Sequence, residues 1–498
     1  MIKRILFCLL LLLSFCCQAA DIPADAPQKA IIAGRVLHFD PANPSIRIYV
    51  NRLLGETEEI PVPLDHEGRF RTEIETYTPA DLRIRGRLAF QAVVLPGDSL
   101  HVVFDGSTRD PEKLLGQAEF SGDEAGFNRD IVRFQLLYQP IWKDWQKQDS
   151  ALYYDVEPFL QFLDTLEGRR KAIFDRFITE VKPGKEARLW VELFLREAYY
   201  ENYLTYPGRH RAYTRRSASE WDVPDGYYDS FKKEFHRIDE AMFINTKATT
   251  DLARYYFKFA IIAPLLIAHP EIQHMSLEEQ RSLVFTGIIE RVQDPVLREL
   301  LLADMFWQEL EMYMVANYEK NKGPAERYIV SPWLRNPLQE KYAEVKHKID
   351  NPQINPGAVI HDVSGLSASE ILEHVRTKNP EKVVYVDFWA SWCSPCLAEM
   401  PKSKMLMSEM ESRDAAFVFI AVDDQKQPWN VALAELQLPG QHYLLDKKQS
   451  REMREILGMR SIPFYLLIDK KGEMKDKGGA SHMRPGGVKP MLEGFLKE

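Results

Sequence analysis

The sequence predicts three folded parts in series: an N-terminal all-β, sandwich-like domain, an all-α middle region and a C-terminal α/β domain. Three observations lead there. Between Ile31 and Asp105 apolar and polar residues alternate, as at Ile46, Ile48 and Val50, the period of a half-buried strand. From about Asp123 to Asp350 the period lengthens to that of a helix, with Phe159, Phe162, Leu163 and Leu166 on one face. Further on, a buried strand ending at Phe388 leads through a short turn to Cys393 and Cys396, where a helix should begin.

The 498 residues, 45% hydrophobic and 28% charged, suit two or three soluble domains with sizeable cores. A net charge of −9, without a basic cluster interleaved with aromatics, argues against nucleic acid as a partner. At the start, Lys3 and Arg4 precede the apolar run Ile5 to Phe15, then Cys16-Cys17-Gln18-Ala19. A charged start, short apolar core and small-residue exit make residues 1–19 a secretory signal and place the mature protein in the periplasm. Cleavage after Ala19 removes Cys8, Cys16 and Cys17, leaving Cys393 and Cys396 with no third thiol to mispair. A lipoprotein signal acylated at Cys16 or Cys17, which would anchor the protein to a membrane, is the competing reading. No other stretch suits a bilayer; Phe259 to Ala268 is short and broken by Pro264.

The β domain is expected over residues 28–120, with turns at Glu67-Gly68 and Pro96-Gly97-Asp98 separating short strands. The helical region is expected over 121–350. Within it, Ser276 and Glu279 form a capping box, and Leu300 to Val315 reads as one helix. Its many tyrosines read as a helical core with amphipathic margins, or as an aromatic surface that docks a protein. Arg209-His210-Arg211 with Arg215-Arg216 reads as a solvated loop, with anion binding as the alternative.

The linker Asn351 to Gly357 opens the last domain, 351–498. Ser367 with Glu370 caps a helix through Val375. After the dithiol helix come a strand over Ala416 to Val422, a helix over Trp429 to Leu436 and a strand over His442 to Leu445. A helix over Arg451 to Leu457, a strand over Phe464 to Ile468, a turn at Lys471-Gly472 and a helix over Val488 to Leu496 complete it.

The cysteines carry the chemistry. A helix N-terminus aims its N–H groups and positive dipole end at Cys393, which favours the thiolate and makes this residue the expected nucleophile. Cys396, one turn on, can close the disulfide, and Pro395 fits the first turn, where its missing N–H costs nothing. Zinc would want a second ligand pair, and covalent haem a histidine where Leu397 stands. A passive disulfide closing so short a loop would add little stability.

Trp392-Cys393-Ser394-Pro395-Cys396 matches the W-C-x-x-C motif, and the last 150 or so residues resemble the thioredoxin superfamily, in particular TlpA/ResA-like reductases. The resemblance implies a thioredoxin-like α/β fold and thiol–disulfide exchange. It places Asp387 as a buried carboxylate beneath the dithiol, Glu399 as an acidic residue close to it, Pro401 at a kink in the helix and Pro463 as a cis-proline facing the cysteines. A carboxyl in apolar surroundings beside a thiol has a raised pKa and can move its proton, so Asp387 and Glu399 are both candidate bases for Cys396. Trp392, Ile462 and Pro463 would meet an extended substrate. The implied partners are a disulfide-bearing protein and a membrane-bound electron donor, and the Cys393–Cys396 disulfide would serve as the redox group without cofactor or metal. The 70 positions from Cys393 to Pro463 exceed what plain thioredoxin needs; the surplus at Asp423 to Leu445 resembles a TlpA/ResA-like central insertion. Asp65 to Phe70 and Leu95 to Leu100 resemble a β domain found ahead of thioredoxin-like domains in Bacteroides-type bacteria. A peroxiredoxin-type peroxidase would want a threonine or serine where Ala390 stands. A non-enzymatic alternative gives the first 350 residues the work of binding a partner or glycan, with the dithiol as a redox latch.

Overall fold

The computed structural model describes residues 23–24, 26–55, 57–410 and 414–497, so the expected signal at 1–19 lies outside the described residues. The described residues form two compact units: one runs up to Met305 and includes Asn321–Leu338, and the other comprises Phe306–Lys320 and the described residues from Gln339 onward.

The first unit begins with strands β1 (Gln28–Leu37), β2 (Ser45–Asn51), β3 (Glu58–Pro63), β4 (Arg69–Thr76), β5 (Ala80–Arg85), β6 (Ala89–Val94), β7 (Ser99–Asp105) and β8 (Glu119–Gly122). They form two four-stranded sheets, ordered β4-β1-β7-β8 and β3-β2-β5-β6. The period-two residues Ile32, Ile48, Ile84, Phe90 and Phe104 share one buried core, with Phe90 and Phe104 edge to face at 5.3 Å. The turn before Phe70 needs its glycine: Gly68 has φ +76, and a Cβ there would lie 2.3 Å from the Val36 carbonyl oxygen. The free edge of β6 is covered by two side chains seven apart on helix Ala125–Lys143. The Asn128 amide bonds both the N–H and C=O of Val93, and the Gln135 amide does the same for Gln91.

Tyr200, Tyr203, Tyr206, Tyr227 and Tyr256 of the helical part are buried in its core, whereas Tyr153, Tyr154 and Tyr213 are exposed. Tyr203 and Tyr227 stack at 4.3 Å, and each hydroxyl donates to the other's carbonyl oxygen. Two expectations fail here. Arg209, His210 and Arg211 lie within helix Lys185–Thr214, with His210 buried against the Leu152 carbonyl and the arginines paired to Asp149 and Asp222. The helix expected to reach Val315 is Pro295–Glu311; Tyr313 turns left-handed at φ 56, and the Met314 N–H closes the end on the Glu309 carbonyl.

In the second unit, β9 (Ala358–His361), β10 (Val383–Trp389), β11 (Ala415–Ala421), β12 (Gly440–Leu444), β13 (Phe464–Ile468) and β14 (Met474–Gly478) form a sheet ordered β14-β13-β10-β11-β12-β9. β10 lies inside the sheet, parallel to β11 and antiparallel to β13, and all seven of its residues are buried. That explains its unbroken apolar, β-branched character: both faces pack into cores, Tyr385 and Trp389 on one side and Val384, Val386 and Phe388 on the other. The surplus segment supplies helix Lys426–Leu436 and strand β12, which stands between β11 and β9. Helix Ala368–Lys378 starts with the reciprocal Ser367/Glu370 box.

Candidate active site

The end of β10 and the start of helix Ser394–Met410 are joined by the turn Ala390–Cys393. Cys393 occupies the position where a helix takes a capping side chain. Its carbonyl accepts the Cys396 and Leu397 N–H groups at 2.9 and 3.0 Å, and its sulfur lies 3.3 Å from the Cys396 nitrogen, as a serine or aspartate oxygen would. Cys393 and Cys396 are disulfide-bonded, with Cα atoms 5.3 Å apart. Both residues are buried, Cys393 at 4% and Cys396 at 1% exposure, with Cys393 the one at the helix tip. Trp392 beside them is 49% exposed.

The turn is held by residues that sequence reasoning missed. Asp424 accepts from the Ser391 N–H at 2.5 Å and from its hydroxyl at 2.7 Å, while the Asp423 carbonyl takes the Trp392 indole N–H at 2.9 Å. Asp423 has φ 55 and is fixed by Arg454 at 2.7 Å. Burial pushes the Asp424 carboxyl up, opposed by the Ser391 hydrogen bonds. The sequence signal was two adjacent aspartates directly after a buried strand, which read as the first residues of an insertion.

The two candidate carboxylates differ in environment. Asp387 sits in the middle of β10, on the same face as Tyr385 and Trp389, which share a buried cluster with both cysteines. It is 1% exposed, and its Oδ1 has no hydrogen-bond partner. Burial first, and then the negative charge of Glu399, push its pKa up to about 8. Across the strand pair it faces Tyr465, whose hydroxyl is also buried without a partner. Glu399, on the first turns of the dithiol helix, is buried too, but both its oxygens lie 3.1 Å from Lys402 Nζ and one lies 3.7 Å from Arg484. Arg484 is brought there by the segment whose Met483 carbonyl accepts the Tyr385 hydroxyl at 2.7 Å. One carboxyl is therefore held by two cations and the other stands alone in an apolar wall.

Ile462 and Pro463 directly precede β13, whose first residue, Phe464, pairs with Phe388 near the end of β10. The bond between them is cis, and Ile462 packs against the cluster that holds both cysteines. Pro401 lies within the dithiol helix. Among the described residues, no group of three or more His, Cys, Asp or Glu side chains could hold a metal ion, and no helix is long and apolar enough to cross a membrane. A sulfur at a helix tip, a partner sulfur one turn on and a buried carboxyl whose pKa is raised towards neutral suit thiol–disulfide exchange.

Comparison with known proteins places this region. Residues 380–474 match a family described as thioredoxin-like. A thiol-disulfide oxidoreductase ResA of Oceanobacillus iheyensis is 25% identical over 119 residues, covering 24% of this chain and 57% of the relative. Thioredoxin-like protein YneN of Bacillus subtilis is 28% identical over 135 residues, 27% of this chain and 63% of its own length. The chain thus spans less than two thirds of these two relatives, although it spans 85% of a Bacillus thuringiensis ResA that is 25% identical over 166 residues. Among solved structures, a putative thiol-disulfide oxidoreductase from Bacteroides vulgatus is 27% identical, with 24% of this chain and 76% of that one covered and a TM-score of 0.22. The sheet order, the dithiol at the helix tip and the family match agree: the C-terminal α/β part of this protein is a thioredoxin-like domain.

Proposed function

We propose that the protein is a thiol–disulfide oxidoreductase of the cell envelope that reduces protein disulfides through Cys393 and Cys396. The observation that carries this reading is the capping position of Cys393, whose sulfur meets the Cys396 N–H at a helix N-terminus while Cys396 waits behind it.

The reduced Cys393 thiolate attacks one sulfur of a substrate disulfide. A Cys393–substrate bond forms, the substrate S–S bond breaks, and the first substrate thiolate leaves and takes a proton from water. Cys396 gives its proton to ionised Asp387 and attacks the Cys393 sulfur. The Cys393–Cys396 bond forms, and the second substrate sulfur departs with the proton that Asp387 held. The substrate gains two electrons and two protons, one proton from Cys396 and one from water, and a dithiol donor, which we place in the membrane, must return the two electrons and the Cys396 proton to the enzyme. Asp387 suits the base role better than Glu399, because it has no cation to hold it ionised and its pKa of about 8 lies near working pH. The negative charge of Glu399 helps raise the Asp387 pKa, which makes ionised Asp387 the stronger base. Trp392, Ile462 and Pro463 form the surface on which an extended substrate segment lies.

Insulin reduction with dithiothreitol as electron source tests the reading. Wild-type protein is expected to accelerate precipitation of the insulin B chain, and Cys393→Ser to abolish the acceleration. A wild-type protein that never turns over would overturn the proposal in favour of the latch.

A further inference from the structure

The outer face of the β3-β2-β5-β6 sheet carries a row of side chains that the sandwich core does not use. Tyr49 on β2 lies opposite Arg83 on β5, which lies opposite Gln91 on β6; on the next rung Asn51 faces Asp81. Helix Lys185–Thr214 presents Trp190, Phe194 and Glu197 to this row, at spacings of four and three that keep them on one side. A cleft of about 270 Å³ lies between, lined also by Thr57 and Lys247.

The charges in the cleft are unequally committed. The Lys247 ammonium is held by Asp251 at 2.5 Å. Asp81 accepts from the Trp190 indole at 2.7 Å and from the Lys247 N–H at 2.9 Å. Burial pushes the Asp81 pKa up to about 6 and that of Glu197 up to about 7, so the floor keeps partial negative charge at neutral pH. Arg83 has its guanidinium 4.6 Å from the centre of the Tyr49 ring, and it meets no acidic partner or hydrogen-bond acceptor among the described residues. The Gln91 Oε1 is a buried acceptor without a donor.

We propose that this cleft binds a small, singly charged, hydroxylated carboxylate of the uronic-acid class, with its carboxylate on Arg83. A guanidinium offers paired N–H groups that match a carboxylate. Asp81 and Glu197 repel a phosphate dianion, yet they and the Asn51 and Gln91 amides can bond hydroxyls. The Tyr49 and Phe194 rings offer apolar surface to a pyranose ring. The volume lies just below the usual range of ligand pockets, about 300–1,000 Å³, which suits one sugar unit rather than a peptide. This site is independent of the dithiol.

Calorimetric titration of the full chain with sodium D-glucuronate tests it, alongside D-glucose, glutarate and inorganic phosphate. Glucuronate is expected to bind saturably, and each of the other three at least about tenfold more weakly. Arg83→Gln, a change at an exposed position, should weaken glucuronate by about tenfold or more, the size of a lost charge-assisted hydrogen bond. Arg85→Gln, two residues along the same face but outside the cleft lining, should leave binding unchanged. Absence of saturable glucuronate heat, equal affinity in Arg83→Gln, or tighter binding of phosphate, glutarate or glucose would overturn the proposal.

Discussion

Replacing Asp387 by asparagine should make the protein more stable and slower at once. In the unfolded chain this carboxyl ionises near pH 3.8, whereas in the fold it holds its proton up to about pH 8. Each tenfold change in proton affinity is worth about 1.4 kcal/mol, so burial of this one group costs the folded state about 4 kcal/mol at pH 7. The sign follows from proton counting. Between these pKa values the folded state binds more protons at this group than the unfolded one, so the group's contribution to stability is most favourable below about pH 4 and is lost as the pH rises towards 8. Asparagine removes that dependence, but it places an amide where Oδ1 has no partner, at about 1–3 kcal/mol. The net gain at pH 7 should be about 1–3 kcal/mol, larger at pH 8 and absent or reversed at pH 4. Urea unfolding of oxidised wild-type and Asp387→Asn protein at these three pH values measures it. The variant should also exchange disulfides about 10²–10⁴ times more slowly, the usual worth of a positioned acid–base group. A variant less stable than wild type at pH 8, with an unchanged slope against pH, would refute the reasoning.

Two further outcomes follow from the same geometry. Glu399→Gln removes the charge that helps raise the Asp387 pKa, so the pH at which exchange reaches half its maximal rate should move down; an unmoved midpoint would assign Glu399 no electrostatic role. Asp424→Ala takes two hydrogen bonds from Ser391 and should destabilise the domain by about 1–3 kcal/mol, read by urea unfolding, and slow exchange through a looser turn.

The parts of this protein that were legible in the sequence are those where one local rule fixes the outcome. β10 announced itself as a run with no polar break except Asp387, because a strand packed on both faces has no solvent side. The Ser276/Glu279 and Ser367/Glu370 boxes marked helix starts from three-residue spacings alone. The end of helix Pro295–Glu311 was not legible, since Leu300 to Val315 keeps a helical pattern and only the left-handed turn at Tyr313 stops it. Likewise Arg209-His210-Arg211 looked like a loop, because the Asp149 and Asp222 partners that neutralise the arginines are distant in sequence or on a later segment. At the site, Cys393 and Cys396 were visible through a motif, whereas Asp424 acts on Ser391 across 33 positions and leaves no spacing to recognise. The difference between Asp387 and Glu399 was also hidden, for it depends on Arg484 arriving from the far end of the chain.

Which sulfur strikes first can be read from two single-cysteine variants. Reduced Cys396→Ala, which keeps the helix-tip sulfur, should attack a chromogenic aromatic disulfide at pH 7 at least about tenfold faster than reduced Cys393→Ala and hold the mixed disulfide. Equal rates, or faster attack by the buried Cys396, would contradict the assignment of Cys393 as the nucleophile.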